Sequence, residues 1–193
     1  VHDMGQGIIS AVKTVFPEVK DFICHFHFLR DLGKDLLQNE YNALKKRLKE
    51  LEIRSKLRQR AKYIENKINP DSPAYIEIIA SFEAGTWRTK SFEHSPLITT
   101  YVLIQWIFDY HRQSNGYGFP FDRSLLDFYQ RLQTACRLLD KIKDIHLREQ
   151  FKDNKPFFQI YAIIKETVKD RQISELAVNL EQKAEVFDKL RTA

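Results

Sequence analysis

The chain has 193 residues, 43% of them hydrophobic, and a net charge of +5. That length suits one domain or two small ones with a buried core. No charged-then-apolar leader is visible, and the longest apolar run, residues 97–108, is broken by threonines and a glutamine. It falls short of the roughly 20 residues a membrane span needs.

The expectation is a soluble chain, cytoplasmic or nucleoid-associated, without a membrane partner and excised from something longer. The two cysteines, Cys24 and Cys136, lie far apart without framework spacing, as in a reducing compartment.

In chain order, Ile8, Ile9, Val12, Val15 and Phe16 recur at helical spacing and predict a short amphipathic helix that Pro17 stops. Residues 19–26 favour β structure and predict a short strand, with Phe22, Ile23 and Phe26 as its apolar positions. From Phe28 a long helical pattern begins, through Leu32, Leu36, Leu37, Leu44, Leu48, Leu51, Leu57, Ala61, Ile64 and Ile68. It predicts one long helix, or two joined between Gly33 and Asn39, ended by Asn69-Pro70-Asp71-Ser72-Pro73.

A helix over 74–84 and a loop over 85–90 follow. His94-Ser95-Pro96 then caps an apolar segment, 97–110, that reads as the central helix of a bundle. Its threonines and Val102 favour a strand, but its length favours a helix. Residues 115–120 form a loop. Asp122 is placed to cap a helix carrying Leu125, Leu126, Tyr129, Leu132, Leu138, Leu139 and Ile142. Pro156 opens a helix with Phe157, Ile160, Tyr161, Ile164 and Val168 on one face. Ile173, Leu176, Leu180, Ala184, Phe187 and Leu190 mark the last. The fold class is mainly α: a helical bundle with one or two short β-strands near the N-terminus.

The charge is concentrated. Lys45, Lys46, Arg47, Lys49, Arg54, Lys56, Arg58, Arg60 and Lys62 stand against Glu50 and Glu52 only. One segment thus holds more than the whole chain's positive excess, as polyanion-binding surfaces often do. A solvated helix face is the plain alternative. On an unbroken helix Lys45, Lys49, Lys56 and Arg60 share one side, while Lys46, Arg47, Arg54 and Arg58 spread around the rest. A duplex would then be held through about four phosphates.

Cys24 and His27 have the spacing of half a zinc site. A full site needs a second pair. His2, His25, His94, His111 and His146 could contribute, but Cys136 has no nearby partner, so packing or hydrogen bonding leads. Trp87, between cations in Ala-Gly-Thr-Trp-Arg-Thr-Lys, could stack on a base or fold back on the bundle.

The segment HDMGQGIISAVKTVFPEVKDFICHFHFLRDLGKDL combines Asp3 with Gly5 or Gly7, Val15-Phe16-Pro17, Cys24 with His27, and Leu29-Arg30-Asp31-Leu32-Gly33-Lys34. In order and spacing it resembles a signature segment of the Mutator-like DDE transposases and their bacterial insertion-sequence relatives. Met4 stands where that family has a glycine directly after the aspartate. The resemblance covers about the first 40 residues. It implies a partial ribonuclease-H-like core over 1–40, followed by a helical insertion over 41–193.

In such a core three acids hold two divalent ions, Mg²⁺ or Mn²⁺, for DNA cleavage and strand transfer by in-line phosphoryl displacement. Asp3 would be the second acid. By itself an aspartate before a helix is more often an N-terminal cap. The first acid would lie upstream. The third would lie beyond Ala193, with Glu83 and Glu93 as weaker candidates within the chain. The intact parent would bind DNA and self-associate, whereas this piece alone is expected to hold no metal and to be inactive. The alternative is a non-catalytic helical DNA-binding or protein-interaction module.

Overall fold

The computed structural model describes residues 5–18, 20, 22, 24–86, 95–110, 114–148 and 155–192, with backbone alone for 144–148. These residues form eight helices: α1 (Gln6–Val15), α2 (His25–Glu50), α3 (Ile53–Glu65), α4 (Pro73–Glu83), α5 (Pro96–Phe108), α6 (Ser124–Arg148), α7 (Lys155–Lys169) and α8 (Arg171–Thr192). The mainly-α expectation is met. The N-terminal strand is not: no strand occurs among the described residues, and His25 and Phe26 form the first turn of α2. The reason is local: a lone strand leaves its backbone donors and acceptors unpaired. The stripe of Leu29, Gly33, Leu37, Leu44 and Leu48 instead gives α2 a buried face.

α5 is the hub. Seven of its residues are buried, among them Thr99, Thr100, Leu103, Ile104 and Ile107, and it packs on α3, α4, α6 and α7. Two buried threonines fit because a helical threonine can return its hydroxyl to its own helix. Thr100 does so, donating to the Pro96 carbonyl at 2.6 Å.

α2 and α8 make the most extensive pairing, and their cross-links show it to be antiparallel. Gly33 lies against Phe187, Lys183 Nζ sits 2.5 Å from Glu40, and Arg47 lies 2.6 Å from Asp170. α6 runs antiparallel to α8 as well, with Arg123 bonded to Asp188 through two nitrogens (3.1 and 2.6 Å) and Gln130 to Glu181 at 2.7 Å. α7 returns along α6, where Tyr161 donates to Asp140 and Lys165 donates to both. Among the described residues α1 packs on no other helix and buries none of its side chains.

Of the two capping expectations, the first is met in position: Ser95 is the N-cap residue of α5 and Pro96 opens its first turn, although Ser95 makes no side-chain cap bond and His94 lies outside the described residues. The second needs correction. Asp122 does not cap α6, which starts at Ser124. Its carboxylate accepts instead from the backbone N–H groups of Asn115 and Gly118, both at 2.8 Å. The loop ahead of α6 needs that anchor because Gly116 and Gly118 both have positive φ.

The α2–α8 links make stability depend on acid. The Lys183 hydrogen bond holds the Glu40 carboxyl below its ordinary range, against a smaller opposing effect of burial. The Arg47 hydrogen bond does the same for Asp170. A depressed folded pKa contributes stability that is fully present above the unfolded value, about 4, and is lost as pH falls through the folded value. Urea unfolding followed by circular dichroism should therefore give a steady midpoint down to about pH 5 and a falling one below about pH 4. Asp170→Asn keeps an acceptor for the Ile173 N–H, 2.9 Å away at the start of α8, but removes the charge. It should flatten part of the acid decline. A decline as steep as the parent's would show that this pair is not its source.

Candidate nucleic-acid interface

The basic segment does not lie on one helix. α2 ends at Glu50 and α3 begins at Ile53, with Glu52 between them in the left-handed region at φ 54°. The buried positions explain the break: Leu44 and Leu48 on one side, then Ile53, Leu57, Ala61 and Ile64 on the other. Five residues of unbroken helix turn through about 500°, which would carry Ile53 about 140° off the face of Leu48. One left-handed residue returns Ile53 to the core. Such a conformation costs a non-glycine residue roughly 1–2 kcal/mol. The turn is braced by Lys56 Nζ on the Leu51 carbonyl (2.9 Å) and Ser55 Oγ on the Glu52 carbonyl (2.8 Å).

The bend creates a groove of about 430 Å³ lined by Lys45, Lys49, Glu52, Arg54, Ser55 and Arg58 over an apolar floor of Leu48 and Leu125. Four cations face one acid. The two arginines are held by rings: Arg54 lies over Tyr110 and Phe128, each 5.1 Å from the guanidinium carbon, and Arg58 lies over Phe108 at 5.0 Å. A guanidinium resting on a ring keeps its in-plane N–H donors for an acceptor and has less freedom to lose on binding. Ser55 and Arg54 belong to the first turn of α3, whose N-terminal partial positive charge adds to the field.

The other cations of the segment go elsewhere. Arg47 bonds to Asp170 at 2.6 Å and to Glu50 at 3.3 Å, tying α2 to the start of α8. Lys56 braces the turn. Lys46 and Lys62 are exposed and Arg60 half-buried, outside the groove lining. The grouping expected on an unbroken helix, Lys45 and Lys49 with Lys56 and Arg60, gives way to Lys45 and Lys49 with Arg54 and Arg58.

Asp3, Glu93 and Trp87 lie outside the described residues. Glu83 is exposed at the end of α4. Cys24 is the N-cap residue of α2 and half-buried; His27 stands in the first turn, its Nδ1 buried without a hydrogen-bond partner among the described residues. The described residues bring no three His, Cys, Asp or Glu side chains together around a common point. They do not by themselves fit a two-metal centre, and no chemical step is assigned to them. None of the described helices is long and apolar enough to cross a membrane. No protein-family model, curated protein or solved structure matches the chain.

Proposed function

We propose that this chain belongs to a DNA transposase of the Mutator-like DDE group and that its helical region holds DNA by the phosphate backbone. The observation that carries the DNA half is the groove at the α2–α3 bend, where Lys45, Lys49, Arg54 and Arg58 line one trough and rings orient both arginines. The resemblance of the first 40 residues carries the transposase half. Under it Asp3 supplies one ligand for Mg²⁺ or Mn²⁺ in the intact parent, which self-associates, and cleavage and strand transfer belong to that assembly. A helical DNA-binding module without catalytic parentage rests on the same groove and lacks only the second support.

Clustered cations suit the phosphates that every duplex shares, so binding is expected to be nearly independent of sequence. The test is a fluorescence-anisotropy titration of a labelled duplex at several salt concentrations. Four phosphate contacts predict a slope of log affinity against log salt between about −3 and −4. Two unrelated duplexes should give the same slope. Absence of binding at low salt, or a slope near zero, would remove DNA from the reading.

A further inference from the structure

A second concavity, of about 380 Å³, lies between α4, α5 and α6. It shares no lining residue with the basic groove. Its walls are aromatic: the rings of Tyr75 and Tyr101 sit 6.4 Å apart at a 35° tilt, and those of Phe82 and Trp106 sit 6.5 Å apart, edge to face. Tyr101 is fixed by its hydroxyl, which donates to Glu65 at 3.2 Å. Arg131, only 8% exposed, also lines the pocket, 4.9 Å from the Trp106 ring centroid and donating to the Trp106 carbonyl. Glu83 and Asp109 supply two carboxylates.

These features narrow the ligand. The volume stands at the small end of ligand pockets, so it suits a base or nucleoside rather than a dinucleotide. Aromatic walls favour a planar ring. One cation against two carboxylates disfavours a phosphate or carboxylate group, and the buried Arg131 disfavours an organic cation. A neutral planar ring with acceptors on one edge and N–H donors on another meets both the cation and the carboxylates of this lining, and Gln105 beside them can donate or accept. Guanine has both: O6 and N7 accept, while N1–H and the 2-amino group donate. Arg131 has five N–H donors; the Trp106 carbonyl takes from one side of the guanidinium, and the Asp109 and Asp127 carboxylates stand near enough to act on its charge. We propose that this pocket binds a guanine base, with Arg131 donating to O6 and N7 and Glu83 accepting from N1–H and the 2-amino group. Free guanosine and a guanine displaced from a nucleic-acid strand present the same edges.

The test uses the whole chain carrying Trp87→Phe, so that Trp106 is the only tryptophan. Guanosine should change its fluorescence saturably. Adenosine, with an amino group where Arg131 needs an acceptor, should bind at least about tenfold more weakly. Inosine, lacking the 2-amino group, should fall between them. Glu83→Gln at an exposed position should weaken guanosine, which uses Glu83 for both N1–H and the 2-amino group, clearly more than inosine, which uses it for N1–H alone, whereas loss of fold would weaken both alike. A thymidine oligonucleotide with one central guanine, but not its adenine counterpart, should compete with guanosine if the base comes from a strand. Failure to compete would assign the pocket to the free nucleoside. Lack of a saturable response to guanosine at about millimolar concentration, or equal responses to guanosine and adenosine, would overturn the proposal.

Discussion

Replacing Gly33 by valine should destabilise the fold by about 3 kcal/mol, and replacing it by alanine by roughly 1–2 kcal/mol. The direction is informative because helix propensity alone argues the other way: alanine in a helix interior is favoured over glycine by about 1 kcal/mol. The structure reverses that preference. A Cβ at Gly33 would lie 2.5 Å from Cγ of Pro120 and 2.6 Å from Cε2 of Phe187. The proline ring is stiff and the Phe187 side chain is fully buried, so neither has free space to move into. Urea unfolding of parent, Gly33→Ala and Gly33→Val gives the order directly. If alanine matches or exceeds the parent, α2 and α8 do not approach as closely as described. Combining Gly33→Ala with Phe187→Leu should cost less than the sum of the two single changes, since the smaller side chain yields the space the new methyl group needs.

The second large effect is on DNA. Changing Lys45, Lys49, Arg54 and Arg58 together to glutamine should weaken duplex binding by at least about 100-fold at 50 mM salt, because four phosphate contacts carry that much of the affinity's salt dependence. The informative control removes the same number of charges outside the groove: Lys46, Arg60, Lys62 and Lys67 to glutamine. Both variants carry the same net charge, so a general attraction between a basic protein and DNA would weaken them equally. The groove predicts a loss of several-fold for the control and a slope close to the parent's. Glutamine rather than glutamate is the right replacement at Arg54 and Arg58, since a carboxylate over the faces of Tyr110, Phe128 and Phe108 would meet their negative side. Thermal unfolding of each variant separates lost affinity from lost fold. Equal weakening in the two sets would reduce the groove to an ordinary solvated surface.

Sequence and structure part company where long-range packing decides. The spacing of apolar residues suffices for α4 and for α6 to α8, whose burial follows periodicity, while the all-round apolar α5 is legible from its length. The break at Leu51–Glu52 was also encoded, in the five-residue step from Leu48 to Ile53, but Leu51 fills the gap with a plausible apolar position. No glycine or proline marks the turn, and a glutamate in the left-handed region is a choice that only the packing of Ile53 explains. Gly33 looked like a weak point in a helix and is instead a contact point, which depends on Phe187 and so was not visible locally. The basic segment is conspicuous as composition, while its division into a groove and its surroundings follows from the break between α2 and α3. Tyr110, Phe108 and Phe128 reach the site through packing between residues far apart in sequence, which no local pattern marks.

The antiparallel match of α2 with α8 has a consequence for how the molecule comes together. The two helices lie at opposite ends of the described chain, with Glu40 and Lys183 separated by 143 positions. Contacts this distant in sequence carry a high loop-closure cost and tend to be made late in folding. The face of α2 bearing Leu29, Gly33 and Leu37 therefore waits for α8 to be synthesised before it is covered. Until then a growing chain presents an apolar strip beside its most basic segment, a combination suited to chaperones or to premature contact with nucleic acid.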